Sequence, residues 1–199
     1  MAITNGYITL SLLKSSLQIP SDDTQDDEFL ELAIESASRQ IDAGTERQFF
    51  ATTETRKFIP RDSITCEIDD LTSITSLKTS TDANGTYDQT WAEKDYQLEP
   101  LNGLAGGIPT PATLIRAIDE YLFSTDGQEA TVEVTGTFGY TPVPIQIEQA
   151  TLILASRLFE RRNSPLGIAG ISDIGAVRVS RFDSDIENLI NPFRKIRMA

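Results

Sequence analysis

The strongest constraint on how this chain can fold is a double change in its hydrophobic period. From Thr9 to Ala43 apolar residues recur at helical spacing; from Phe49 to Phe138 the period falls towards two; after Pro144 it becomes helical again. A chain with that order places a strand-rich stretch between two helical ones, so α+β is the expected class. Thr9 can cap a short first helix carrying Leu10, Leu13 and Leu17, closed by Pro20. The acidic run Ser21 to Glu28 leads into a second helix, where Asp and Glu suit the positive end of the helix dipole. Its apolar face holds Phe29, Leu30, Ala33, Ile34, Ala37 and Ile41, with Gly44 as its stop. Glu31, Glu35, Ser38 and Asp42 are expected on the solvent side.

Six short runs fill the middle: RKFIP, SITCEI, SITSLKT, KDYQLEP, ATLIRAI and ATVEVTGTF. They are rich in β-branched and aromatic residues and separated by Asp, Asn, Gly and Pro, the pattern of a small, mainly antiparallel sheet. Asn84-Gly85 reads as the reversal of a hairpin. The stretch NGLAGGIPTP at 102–111 reads as flexible. It lacks the lysine and glycine spacing of a phosphate-cradling loop.

Pro144 suits the start of a third helix, whose Ile147, Ala150, Thr151, Ile153, Leu154, Leu158 and Phe159 form a wide apolar face. Arg157, Arg161 and Arg162 lie near its carboxyl end, where they complement the dipole or meet an acidic neighbour. The following strip, LGIAGISDIGAVRVSR, is too apolar to be solvated and too rich in glycine for a stable core element. It is expected to be a projecting arm that docks on an adjacent copy through Leu166, Ile168, Ile171, Ile174, Val177 and Val179. Asp183 or Ser184 can cap a last helix interrupted by Pro192, and the tail that follows sets Phe193 and Ile196 among Arg194, Lys195 and Arg197 as candidate contacts with a partner. The expected organisation is therefore a bundle of about four helices from 1–48 and 139–199, with an arm at 164–181, and a β-rich domain inserted at 49–138.

The chain has no histidine, which removes imidazole zinc sites, histidine general bases and the usual catalytic triads. Its one cysteine, Cys66, excludes an internal disulfide and reads as a buried strand residue. DDTQDDEFLELA lacks the central glycine and final glutamate of a calcium loop. The adjacent carboxylates Asp69-Asp70 and Asp119-Glu120 need not converge on a substrate, and Lys94, Asp95 and Glu99 match no nuclease spacing. No enzyme activity, cofactor or metal is expected. Neither the amino terminus nor ATLILA resembles a membrane segment, so a soluble protein without an anchor is expected. The net charge of −13 is uneven: Lys and Arg number 9 against 25 Asp and Glu in residues 1–150, but 8 against 5 in residues 151–199. That split disfavours a broad grip on phosphate backbones and suits head-to-tail association of copies.

Three blocks carry a family likeness: ITLSLLKSSLQIPSDDTQDDEFLELAIESASRQIDAGTERQF, VEVTGTFGYTPVPIQIEQATLILASRLFERRNSPLG and GAVRVSRFDSDIENLINPFRKIR. In order and spacing the chain resembles the head–tail connector proteins of long-tailed double-stranded DNA bacteriophages, also termed adaptor or head-completion proteins. The resemblance implies a virion protein at the head–tail interface, assembled in the host cytoplasm. It further implies a ring of twelve copies docked on the portal protein, extending a channel through which DNA passes without sequence-specific binding. That ring would offer a platform to a stopper or tail-completion protein. Two other readings stay open at this point: another ring-forming component, such as a stopper or tail terminator, and a cellular ligand-binding or regulatory domain.

Overall fold

The computed structural model describes residues 3–81, 85–118, 120–125, 129–162 and 184–195. Among these the chain is α+β, with four α-helices and a mainly antiparallel sheet. It divides into two compact units, one formed by residues 1–47 with 143–199, the other by residues 48–142.

In the helical unit, α1 (Leu10–Ser16) starts where Thr9 accepts a hydrogen bond from the Leu12 amide at 3.2 Å. The second helix, α2 (Asp27–Thr45), packs against α3 (Ile145–Arg161), and α4 (Ser184–Ile190) lies against both. Leu13, Leu30, Ile34, Ile41, Ile147, Ile186 and Ile190 form the buried seam. The acidic run before α2 also serves Lys14, whose buried ammonium donates to the Asp23 carbonyl at 2.8 Å and pairs with Asp27. That supplies the partners a buried cation requires.

Two features of α2 correct the sequence reading. Glu46, at a left-handed φ of 57°, ends the helix rather than Gly44. The supposed solvent face is covered by residues 4–7. Glu35 accepts the Thr4 and Asn5 amides at 2.6 and 2.9 Å, and buried Ser38 accepts the Tyr7 amide at 3.1 Å. The Tyr7 hydroxyl donates to Asp42, whose carboxyl is pushed above its ordinary range mainly by burial, against the opposing pull of Tyr7 and Arg39. Polar side chains therefore anchor an irregular, bent segment that has no periodicity of its own.

The sheet unit is built on β1 (Thr52–Phe58), β2 (Thr65–Thr79), β3 (Gln89–Trp91), β4 (Tyr96–Glu99), β7 (Ala112–Ala117) and β8 (Val132–Phe138). Their order is β1-β8-β2-β7-β4, with β3 beside β2 and every pairing antiparallel. The runs SITCEI and SITSLKT, expected as two strands, belong to the single strand β2. Register shifts at Glu67/Leu71, Leu71/Ser73 and Ile74/Ser76 break its alternation, as bulges do. The first part of β2 pairs with β7 and the rest with β8 and β3, which closes a core of Cys66, Ile68, Leu71, Leu77, Trp91, Ile115, Val132, Val134 and Phe138. Cys66 is fully buried in it, and burial pushes its thiol up to about 12.

The stretch at 102–111, expected to be flexible, forms a small hairpin of β5 (Leu104–Ala105) and β6 (Ile108–Pro109). Gly106 and Gly107 hold its turn at φ 58° and 82°. Positive φ at both central residues is the geometry that favours glycine there. The hairpin turn expected at Asn84-Gly85 includes residues outside those described, although β2 and β3 on either side are paired.

Candidate functional site

The most distinct apolar groove among the described residues of the helical unit lies where α2 begins and α3 ends. Phe29, Leu32, Ala33 and Ser36 of α2 face Leu158 and Phe159 of α3 across a groove of about 180 Å³, closed at one end by Arg162. Phe29 and Leu32 are 53% and 50% exposed. The assignment of Phe29 to the core is thus corrected: α3 lies over Ala33 and Ala37 and leaves the Phe29 edge of the apolar arc uncovered. An engineered apolar cavity of about 150 Å³ takes benzene, so this groove has room for one large aliphatic side chain.

Arg162 shapes the end of the groove. Its guanidinium makes a bidentate contact with Asp26 at 2.6 and 2.9 Å and lies over the rings of Phe29 and Phe159, 5.0 and 4.7 Å from their centroids. The Arg162 hydrogen bonds hold the Asp26 carboxyl below the usual carboxylate range. This forked, aromatic-backed geometry is particular to arginine. Arg162, expected to complement the dipole or meet a neighbour, is instead engaged by an acid of its own chain.

The other candidate contacts are scattered. Arg157 is partly buried on α3, and Arg161 is exposed on its last turn. Arg194 and Lys195 are exposed, the Lys195 amide donating to the Thr45 carbonyl at 2.9 Å. Phe193 corrects its assignment as a partner contact: it is 1% exposed, because the short 3₁₀ turn Asn191–Phe193 folds its ring into the core of its own unit. Leu166, Ile168, Ile171, Ile174, Val177, Val179, Ile196 and Arg197 lie outside the described residues. Leu32 escaped the sequence reading, although it sits beside Phe29 on an apolar arc too wide for one neighbouring helix.

Three of the carboxylates weighed as catalytic groups, Asp69, Asp95 and Glu99, have structural partners. Asp95 accepts the Ala92 amide at 2.7 Å. Glu99 is clamped by Arg116 at 2.6 and 3.1 Å, which lowers its pKa. Asp69 meets Arg56 at 2.9 Å. No helix of the described residues is long and apolar enough to cross a membrane.

Residues 7–84, which contain α1, α2, β1 and β2, match the family model of the phage gp6-like head-tail connector protein. The likeness to head–tail connectors is shown. This connector-like chain also shares its fold with solved necks. A chain in the neck of an empty GTA particle, computed with C6 symmetry, matches with a TM-score of 0.62 at 18% identity, over 100% of this chain and 95% of that one. One in the neck of the native GTA particle, computed with C12 symmetry, matches with a TM-score of 0.58 at 17% identity, over 100% and 94%. One in the virion of the native gene transfer agent particle matches with a TM-score of 0.57 at 18% identity, over 100% and 95%. No curated protein matches. The matched family is a connector family, and the matched structures are the necks and virion of phage-like particles.

Proposed function

We propose that this chain is a structural virion protein that forms a ring between the portal and the tail or stopper of a phage-like particle. The ring extends the DNA channel and provides the platform for tail attachment. The observation that carries this reading is the connector match over residues 7–84, joined to a whole-chain fold likeness to particle necks. Residues 1–48 and 139–199 serve as the connector core and residues 49–138 as an insert. The helical unit favours an adaptor over a stopper or tail terminator, which are more often small barrels of strands.

Twelve copies are proposed, with support from the C12 symmetry of one similar neck. In a cyclic ring each copy uses two different faces, so complementary patches are required. The 166–177 strip crosses to a neighbour, while Arg157, Arg161, Arg194 and Arg197 address the portal or an acidic flank. An acidic body keeps phosphates from adhering as DNA passes. The test is the mass of a mixture with purified portal protein from the same particle. A single complex of fixed ratio is expected, whereas separate species at micromolar concentrations would refute the portal-docked ring.

A further inference from the structure

We infer that the β5–β6 hairpin is a contact between copies, its Leu104 seated in the groove between α2 and α3 of a second copy. This rests on the ring reading above and deepens it by naming two surfaces that meet.

The hairpin is built to project. Its strands β5 and β6 pair with each other in a two-stranded sheet separate from the six-stranded one. The Thr110 amide donates to the Gly103 carbonyl at 3.0 Å and clasps the base. At the tip, a Cβ added to Gly107 would meet nothing within 4 Å, so the turn stands in open space. Neither Leu101 nor Leu104 joins the core of the sheet unit. They are 67% and 69% exposed, and among the large apolar side chains of the described residues only Ile145 is more so. Two leucines held out on a short, clasped hairpin stay hydrated until another surface covers them.

Charge selects the surface it meets. Residues 1–150 carry 9 Lys and Arg against 25 Asp and Glu, so two copies repel unless they touch through uncharged surface. The hairpin supplies one such surface, since no charged residue occurs from Pro100 to Ile115. The groove supplies the other. Of its lining residues only Arg162 is ionised, and Asp26 neutralises it at 2.6 and 2.9 Å. Phe29, Leu32 and Leu158 make the groove apolar, and its volume of about 180 Å³ admits one leucine side chain. It is open in the single chain, with Phe29 and Leu32 53% and 50% exposed. Joining the two buries apolar area without stripping water from an unpaired charge. Hairpin and groove are different surfaces of one chain, so their pairing is head-to-tail and can close a ring.

The test uses Leu104→Cys and Leu32→Cys, mixed as single variants and combined in one chain, in full-length protein assembled on portal-bearing particles and then oxidised. Buried Cys66 does not compete in the oxidation. Linked dimers from the mixed single variants, and a ladder of multimers from the double variant, are expected. Links within one chain alone, links between two Leu104→Cys copies instead, or complete rings without any link at this pair would each overturn the inference and leave the ring reading standing. If unmodified protein forms no ring on portals, both readings fail. Leu104→Asp, at an exposed position, should leave thermal unfolding unchanged while lowering ring occupancy by about tenfold or more. Full occupancy by that variant would also overturn the assignment.

Discussion

Replacing Gly139 with Ala is expected to destabilise the sheet unit by about 3 kcal/mol or more, the combined scale of a strained backbone and an overpacked site. Gly139 follows β8 at a φ of 103°, and a Cβ there would stand 2.1 Å from the Phe50 carbonyl oxygen and 3.2 Å from the Ala51 Cα. Both are backbone atoms, so no side-chain rotation relieves the clash. The glycine is also held from both sides. Its amide donates to the Asp70 carbonyl at 2.7 Å, and its carbonyl accepts from the Thr72 hydroxyl. A shift would disturb the entry to β1 and the contact of Phe49 with Tyr140, whose ring centroids are 5.0 Å apart. Trp91 is the only tryptophan and lies in the core of this unit, so its fluorescence reports unfolding here. With a slope of about 1–3 kcal/mol per molar urea, the midpoint should fall by more than about 1 M. An unchanged midpoint would mean that the close approach at Phe50 does not exist.

Trp91→Ala is expected to cost about 3–5 kcal/mol. The indole is 4% exposed, stacked on Phe123 at 4.7 Å with an interplanar angle of 12°, and tilted against Tyr121 at 5.6 Å. Its N–H donates to the Thr79 hydroxyl at 2.8 Å, which donates onward to Gln89 at 3.1 Å. Truncation leaves a large void and takes away the donor that Thr79 accepts from. Trp91→Phe keeps one ring of the stack and loses the hydrogen bond with part of the indole volume, so it should cost less, about 1–2 kcal/mol. Urea unfolding followed by circular dichroism separates the two. Equal losses from both variants would show that the hydrogen bond, not ring packing, sets the stability of this corner.

The helices were legible because their signals are local: the Thr9 cap, Pro144 at the start of α3, and apolar residues at helical spacing. The strand-rich middle was legible as a class but not in detail. Around Asp69, Asp70 and Leu71 bulges interrupt the alternation, so one strand read as two. The small hairpin at Gly106-Gly107 looked like a flexible loop because its strands are two residues each. Long-range polar contacts left no periodic trace: nothing near Glu35 or Ser38 announces that amides 31 residues away will seek them. The groove likewise depends on how far α3 covers α2, which becomes visible only when the helices are packed. Phe193 shows the reverse error, an apolar residue among cations that turned inwards rather than towards a partner.

The central claim is that the strip after α3 is sheltered by a second molecule. Removing residues 166–177 tests it most directly, because it takes away the strip alone and leaves a connection between Arg162 and Ser184 that can still reach about 30 Å. The variant should unfold like the parent yet leave portal vertices bare in electron micrographs. Full rings on those vertices would contradict the account.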